Sequence, residues 1–155
     1  MAKSSNKIQK GEIVGPYVMS TFVSLGNMKK SFNRLVDLVD EYHYLLPKPI
    51  VIQHGHTQLG YLNSNDFVCV DFLGSKDFDE HIAQAKVNIG HAGAGFVSNC
   101  LAKNKKPMLM ARRQTLDEHL DDHQVDFSNY LFDENIAYKF SSQNLYKFKN
   151  HNLDL

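Results

Sequence analysis

Hydrophobic positions in this chain alternate between two spacings. Continuous apolar or β-branched runs, typical of buried strands, occur at residues 17–25, 49–52, 67–72, 87–90, 107–111 and 136–140. Between these runs, apolar residues recur every three or four positions, which predicts amphipathic helices. Strands that alternate with such helices indicate parallel βαβ units with right-handed crossovers. The expected fold is therefore α/β, a doubly wound and mostly parallel sheet of the Rossmann-like type.

Two of the predicted helices carry details that a structure can check. Ser75 is the expected N-cap of a helix over residues 75–85. A later helix is expected to begin at about Glu118 or Asp122 and to end at Leu131. Its inward face is expected to carry Leu120, Gln124, Phe127 and Leu131.

Length and composition limit the class of protein. The 155 residues fit one domain, expected at residues 17–155 after a disordered leader at residues 1–16. The 17 basic residues balance the 17 acidic ones, so the chain lacks the positive footprint of a nucleic-acid binder. Its apolar runs are shorter than a membrane span, and Cys69 and Cys100 form no CxxC pair. These features predict a cytoplasmic protein whose two thiols are small buried side chains.

Glycine and polar residues follow four of the predicted strands. The carboxyl ends of parallel strands meet at one edge of a sheet, and ligands bind there. This edge should therefore collect Gly26 with Asn27, residues 53–56, residues 91–95, and Arg112 with Arg113. The two arginines could reach a phosphate or the carboxylates of a partner, but solvated charges at a strand end are the favoured interpretation.

The turn after the fourth strand reads His91, Ala92, Gly93, Ala94, Gly95 and opens a helix. Glycine permits a close approach of the backbone to a ligand, and the free N–H groups of a helix start attract an anion. The turn is therefore predicted to cradle a phosphate. Tight packing of helix against strand is the alternative explanation of the same glycines. A Gly93→Asp substitution is expected to weaken anion binding while folding survives.

A second polar segment, from Glu118 to Gln124, reads Glu-His-Leu-Asp-Asp-His-Gln. Carboxylates and an amide at a helix start suit ribose and sugar hydroxyls. An acidic first turn that complements the helix dipole explains the carboxylates equally well, but it does not explain an inward Gln124. Asp77 and Asp79, in the first turn of an earlier helix, are interpreted as structural for the same reason.

Two histidine pairs raise the question of a metal. His54 and His56, and His119 and His123, have spacings that zinc accepts, but no cysteine joins them and the HExxH pattern is absent. No resident metal is predicted. No nucleophile arrangement is recognisable either, so the catalytic residues are left unassigned.

Taken together, these segments resemble the C-terminal domain of family 28 glycosyltransferases. The matching pieces are residues 24–27, 53–56, 91–95, 106–107 and 118–124, within a resemblance that spans about residues 21–140. The resemblance implies one Rossmann-like half of a GT-B glycosyltransferase. Within the family, the chain is similar to the short stand-alone type, represented by the cytosolic subunit of the two-component UDP-GlcNAc transferase of N-glycan assembly and by bacterial exopolysaccharide transferase subunits.

The resemblance further implies a UDP-sugar-binding subunit of an inverting, metal-independent hexosyltransferase for lipid-linked surface or exopolysaccharide assembly. The UDP-sugar would be its donor substrate, and no cofactor is implied. A membrane-attached partner subunit would supply the acceptor-binding half and the general base. That partner would also recruit the chain to the inner face of the membrane.

Donor-binding residues carry over by position. The turn at residues 91–95 would receive the diphosphate, and Gly26 with Asn27 would approach the phosphates or the transferred sugar. Asn99 would contact the ribose. Asp122, His123 and Gln124 would address the sugar hydroxyls, with Glu118 nearby. The implied set is Gly26, Asn27, His91, Ala92, Gly93, Ala94, Gly95, Asn99, Glu118, Asp122, His123 and Gln124.

Two positions depart from the family pattern. Phe96 stands where Ser or Thr is usual, and Asn99 stands where an acidic residue is usual. They motivate one alternative, a non-catalytic interaction subunit that keeps the fold but has lost donor binding. A second alternative is a Rossmann-like enzyme that uses a different nucleotide.

Overall fold

The computed structural model describes residues 7–9, 20–62 and 64–155, with only the backbone described for residues 7–9. The strands are β1 (Lys7–Gln9), β2 (Thr21–Ser24), β3 (Ile50–Gln53), β4 (Phe67–Val70), β5 (Val87–His91), β6 (Met108–Met110) and β7 (Tyr138–Lys139). The α-helices are α1 (Asn33–Glu41), α2 (Ser75–Gln84), α3 (Ala94–Ala102), α4 (His123–Asp133) and α5 (Ser142–Lys149).

The seven strands form one sheet in the order β1-β4-β3-β2-β5-β6-β7, and every neighbouring pair is parallel. The α/β doubly wound fold expected from the sequence is confirmed. Strand β1 falls inside the segment expected as a leader; the rest of that leader and residues 17–19 lie outside the described residues.

Alternating side chains of the strands enter two separate hydrophobic clusters, because successive residues of a strand point to opposite faces. Val23, Ile52 and Ile89 pack with α1 and α5 in one cluster. Phe22 and Val51 pack with α2, α3 and α4 in the other. The sheet is therefore covered on both faces, as its all-parallel pairing requires.

The sheet has its topological switch point between β2 and β5. Strands β2, β3 and β4 extend the sheet one way, whereas β5, β6 and β7 extend it the other way from β2. In register, Ser24 at the end of β2 lies beside Gly90 in β5. The loops that leave these two strands therefore open a crevice at the carboxyl edge, which is where doubly wound sheets bind ligands.

Three local expectations are corrected. Gly74, not Ser75, is the N-cap of α2, and no side chain caps that helix. Leu120 is 71% exposed and precedes α4, because the helix begins only at His123. Arg112 is 1% exposed rather than solvated, whereas the neighbouring Arg113 is exposed.

Two other expectations of burial are confirmed. Cys69 and Cys100 are unpaired and buried, and burial raises the pKa of their thiols to about 11 and about 12. Gln124 faces inward and is 8% exposed. Within the described ranges, none of the helices has the length and apolar character needed to cross a membrane.

Candidate functional site

At the carboxyl edge, hydrogen bonds of one glutamine side chain link the ends of β2, β3 and β4. Ser24 Oγ donates to Gln53 Oε1 at 2.8 Å. The amide nitrogen of Gln53 donates to the carbonyls of Gly26 at 3.3 Å and Asp71 at 3.0 Å. Gly26 has φ +81°, which glycine adopts without strain. This network fixes the loop after β2 at the mouth of the crevice.

The first turn of α3 leaves backbone donors at the surface. Gly93 is the N-cap and offers no side-chain cap, and the first helical bond runs from Val97 N–H to the Gly93 carbonyl at 3.0 Å. The three preceding N–H groups of the helix, on Ala94, Gly95 and Phe96, therefore lack helical acceptors. Ala94 and Gly95 are exposed, and a Cβ at Gly95 would meet no atom within 4 Å. This end of α3 can receive an anion.

The two glycines of the turn have different reasons to be glycine. A Cβ at Gly93 would overlap Cε1 of His91, whereas Gly95 faces open space. A Gly93→Asp substitution therefore cannot separate anion binding from packing, because a side chain there forces the His91 ring or the turn to shift. The packing of the His91 ring explains why residue 93 is glycine. The open space at Gly95 is compatible with access of a ligand to the backbone there.

His91 and Gln124 connect this turn to α4. The Gln124 amide nitrogen lies 3.1 Å from His91 Nδ1, and Gln124 Oε1 accepts from the N–H groups of Ala92 and Arg112, both at 3.1 Å. Burial lowers the pKa of His91 to about 3, assisted by the charges of Arg112 and His119. The imidazole is therefore neutral at physiological pH. The sequence predicted that Gln124 faces inward, but it did not predict these hydrogen-bond partners.

One cavity lies between the strand ends and helices α2 and α3, and we call it the α2–α3 cavity. It has a volume of 230 Å³ and is lined by Ser24, Gly26, Asn27, Gln53, Leu73, Ser75, Phe78, Asp79 and Asn99. It unites three of the predicted site residues, Gly26, Asn27 and Asn99. Asp79 also lines it, 3.8 Å from Lys103, although the sequence interpretation treated Asp79 as structural.

A second cavity, the α4 cavity, adjoins the first turn of α3. It has a volume of 380 Å³ and is lined by Ala92, Gly93, Ala94, His119, His123, Gln124 and Phe127. It brings together five predicted site residues from two distant segments. His119 is an additional lining residue that the sequence offered only as a metal-ligand candidate. The His91 ring packs against both Gly26 of the first cavity and Gly93 of the second.

Two predicted site residues lie elsewhere. Glu118 is 5% exposed and lines a different cavity, beside Lys30 and Arg34. Its carboxylate accepts from Arg34 and from the N–H of Arg113 at 3.0 Å. Asp122 accepts from the N–H of Gln114 at 2.9 Å. Both carboxylates therefore accept hydrogen bonds from other groups of the chain.

Arg112 is a structural residue of the site that the sequence interpretation missed. Its guanidinium donates to the carbonyls of Leu25 at 2.6 Å, Lys30 at 2.8 Å and Glu118 at 3.0 Å. It also lies over the Phe32 ring, 4.8 Å from its centroid. Burial lowers its pKa to about 10, so the side chain stays charged at neutral pH. Arg112 therefore joins the loop after β2 to the turn after β6.

The histidine pairs do not converge. His54 is buried, with Nδ1 2.9 Å from the Thr57 carbonyl, while His56 is exposed. Burial lowers the pKa of His54. His119 and the 86% exposed His123 both contact the carboxylate of Asp121. Across residues 7–9, 20–62 and 64–155, no three His, Cys, Asp or Glu side chains are grouped so that they could hold a metal ion.

Phe96, the first departure from the family pattern, does not project into the crevice. Its side chain is buried in the cluster of α2, α3 and α4, and a Cβ at Gly90 would lie 2.5 Å from its ring. It stacks at 6.4 Å on His91 and packs edge-on against Phe78 at 6.4 Å. The ring therefore supports the base of the turn while the backbone N–H stays at the helix start.

Comparison with known proteins agrees with this architecture. Residues 28–149 match the glycosyltransferase family 28 C-terminal domain, and the chain belongs to that family. The crystal structure of the glycotransferase of kitacinnamycin superposes with a TM-score of 0.60 at 16% identity, over 87% of this chain and 33% of that one. The glycosyltransferase SnogD from Streptomyces nogalater gives a TM-score of 0.55 at 13% identity, over 91% of this chain and 37% of that one.

The likeness to these structures confirms the fold, one Rossmann-like half of the GT-B architecture. The chain spans about a third of the length of each of these two structures. No curated protein sequence matches it.

Proposed function

We propose that this chain is the donor-binding subunit of a glycosyltransferase that uses a UDP-sugar. The single observation that carries the proposal is the exposed start of α3, a helix that lines the α4 cavity through Ala94 and the α2–α3 cavity through Asn99. Unpaired N–H groups at a helix start favour a diphosphate. The two cavities provide room on either side of it for two further parts of a ligand.

In this arrangement the nucleoside occupies the α2–α3 cavity and the sugar occupies the α4 cavity. Asn99, whose amide oxygen accepts from Lys103 at 3.2 Å, lines the first cavity and faces the ribose. His123 and the second N–H of the Gln124 amide address sugar hydroxyls from the α4 cavity. The donors on Ala94 and Gly95 stabilise the charge that develops on the departing UDP, and they do so without rearranging.

The same proposal extends to the reaction and its setting. The transfer inverts the sugar configuration without a metal and serves lipid-linked surface or exopolysaccharide assembly. A membrane-attached partner supplies the acceptor site and the general base, and brings this chain to the inner face of the membrane. The family match supports the transferase part of this proposal.

Titration calorimetry of the full chain with UDP and ADP tests the nucleotide. We expect UDP to bind at least about tenfold more tightly than ADP, a difference of about 1.4 kcal/mol. Tighter binding of ADP would support the alternative of a different nucleotide. Absence of heat with UDP at millimolar concentration, with and without the partner, would support the alternative of a non-catalytic interaction subunit.

A further inference from the structure

The side-chain amide of Gln124 can have only one orientation. One end of the amide lies 3.1 Å from the Ala92 nitrogen and 3.1 Å from the Arg112 nitrogen. Both are backbone N–H groups, which donate and cannot accept, so the atom that they share must be the amide oxygen. The other end, 3.1 Å from His91 Nδ1, is therefore the NH2 group.

This orientation determines where the proton of His91 resides. The NH2 group of Gln124 only donates, so Nδ1 of His91 must accept with its lone pair. A neutral imidazole then carries its single proton on Nε2. The opposite tautomer and the imidazolium cation both place an N–H on Nδ1, where it would oppose the NH2 group. The geometry thus excludes both forms.

The protonated edge of the ring lies against Gly26, which lines the α2–α3 cavity, and the ring also packs against Gly93, which lines the α4 cavity. A Cβ at Gly26 would come within 2.6 Å of Nε2, and a Cβ at Gly93 would overlap the same ring. Among the residues described, Nε2 has no hydrogen-bond partner. We propose that Gln124 is a positioning residue that holds His91 as the neutral Nε2–H tautomer, so that His91 donates this N–H to an oxygen of the bound diphosphate.

The identity of the ligand in this inference rests on the proposed function, whereas the tautomer does not. The first experiment therefore uses the free chain. In 15N-labelled protein, long-range proton–nitrogen correlation spectra distinguish the protonated ring nitrogen from the bare one. A His91→Asn variant assigns the signals. We expect wild-type His91 to show a protonated Nε2 and a bare Nδ1; a protonated Nδ1 would overturn the proposal.

Gln124→Glu tests whether the glutamine sets the tautomer. A carboxylate can still accept from Ala92 and Arg112, but it presents an acceptor to His91 and should draw the proton to Nδ1. Gln143→Glu, at an exposed position of α5, makes the same change of charge away from the site and should leave the His91 signals unchanged. Retention of the Nε2–H tautomer in a folded Gln124→Glu variant would overturn the role of Gln124.

Titration with UDP tests the donation. In wild-type protein, UDP should shift the Nε2 signal of His91, and Gln124→Glu should weaken UDP binding about 10- to 100-fold, the usual range for losing a hydrogen bond to a charged group. UDP binding without a shift at Nε2 would overturn the donation and leave the proposed function standing. An Nε2–H tautomer in a chain that binds no UDP would confirm the positioning role and contradict the proposed function.

Discussion

Arg34 on α1 and Glu118 in the turn after β6 form a bidentate ion pair across the carboxyl edge. Arg34 Nε lies 3.1 Å from Glu118 Oε2, and Arg34 Nη2 lies 2.8 Å from Glu118 Oε1. Arg34 also donates to the Ala111 carbonyl at 2.8 Å, so the pair joins α1 to both sides of the turn. Parallel bonds of this kind give a fixed geometry as well as attraction.

Removal of the charge of Glu118 should destabilise the fold measurably. Glu118 is buried but Arg34 is partly exposed, so we expect Glu118→Gln to lower the free energy of unfolding by about 1 to 2 kcal/mol. Asp117→Asn is the matched control, because Asp117 pairs with Lys30 while 87% exposed and should cost less than about 0.5 kcal/mol. Urea denaturation measures both; equal losses would contradict a structural role of Glu118.

Gly95→Asp separates anion binding from folding. The position is open, and an acidic residue in the first turn of α3 suits the helix dipole, so stability should be retained. The carboxylate would compete with a diphosphate, and we expect affinity for UDP to fall at least about tenfold. Gly95→Ala measures the steric part of the effect. Unchanged UDP affinity in Gly95→Asp would place the phosphates elsewhere.

Gly93→Ala should show the opposite behaviour. Its Cβ would overlap His91, so the ring or the turn must shift, and we expect a loss of about 1 to 3 kcal/mol in the free energy of unfolding. Thermal denaturation of Gly93→Ala beside Gly95→Ala gives the comparison. A Gly93→Ala variant as stable as Gly95→Ala would contradict the packing of His91 between the glycines.

Arg112→Met should destabilise the site far more than Arg113→Met. The first substitution leaves the carbonyls of Leu25, Lys30 and Glu118 without their donor, which we expect to cost about 3 kcal/mol or more. Arg113 is an exposed side chain next in sequence, and its loss should fall within about 0.5 kcal/mol. Chemical denaturation measures both variants, and similar stabilities would refute the role assigned to Arg112.

Acid should destabilise the chain partly through His91. Its folded pKa, lowered to about 3, lies below the ordinary value of 6.5, so between these pH values the unfolded chain binds a proton that the folded chain excludes. The contribution of His91 is therefore complete above pH 6.5 and decreases as the pH falls towards 3. The loss should amount to at most about 1.4 kcal/mol per pH unit.

Urea denaturation at pH 7 and pH 5 of wild type and His91→Gln measures this contribution. Wild type should lose up to about 2 kcal/mol more than the variant over this interval. His54, whose pKa is also lowered by burial, is present in both proteins and cancels in the comparison. Equal losses in the two proteins would show that His91 is not held neutral.

Much of the fold could be predicted because apolar spacing is a local property. The runs at residues 49–52 and 87–90 correspond to β3 and β5, and the helix predicted over residues 75–85 corresponds to α2. The carboxyl ends of parallel strands share one edge of the sheet, and this rule predicted that Gly26, His91 and Gly93 lie together. The contacts of the His91 ring confirm that prediction. These inferences needed only periodicity and the handedness of crossovers.

The sequence by itself determined the α/β class, the gathering of glycine and polar residues at the carboxyl edge of the sheet, and the inward position of Gln124. Only the tertiary structure decided that Arg112 is buried, that Glu118 pairs with Arg34, and that Gly93 serves packing while Gly95 stays open. The physical reason is that burial and pairing of a polar side chain depend on residues 80 or more positions away, as from Arg34 to Glu118. Local spacing does not encode such partners.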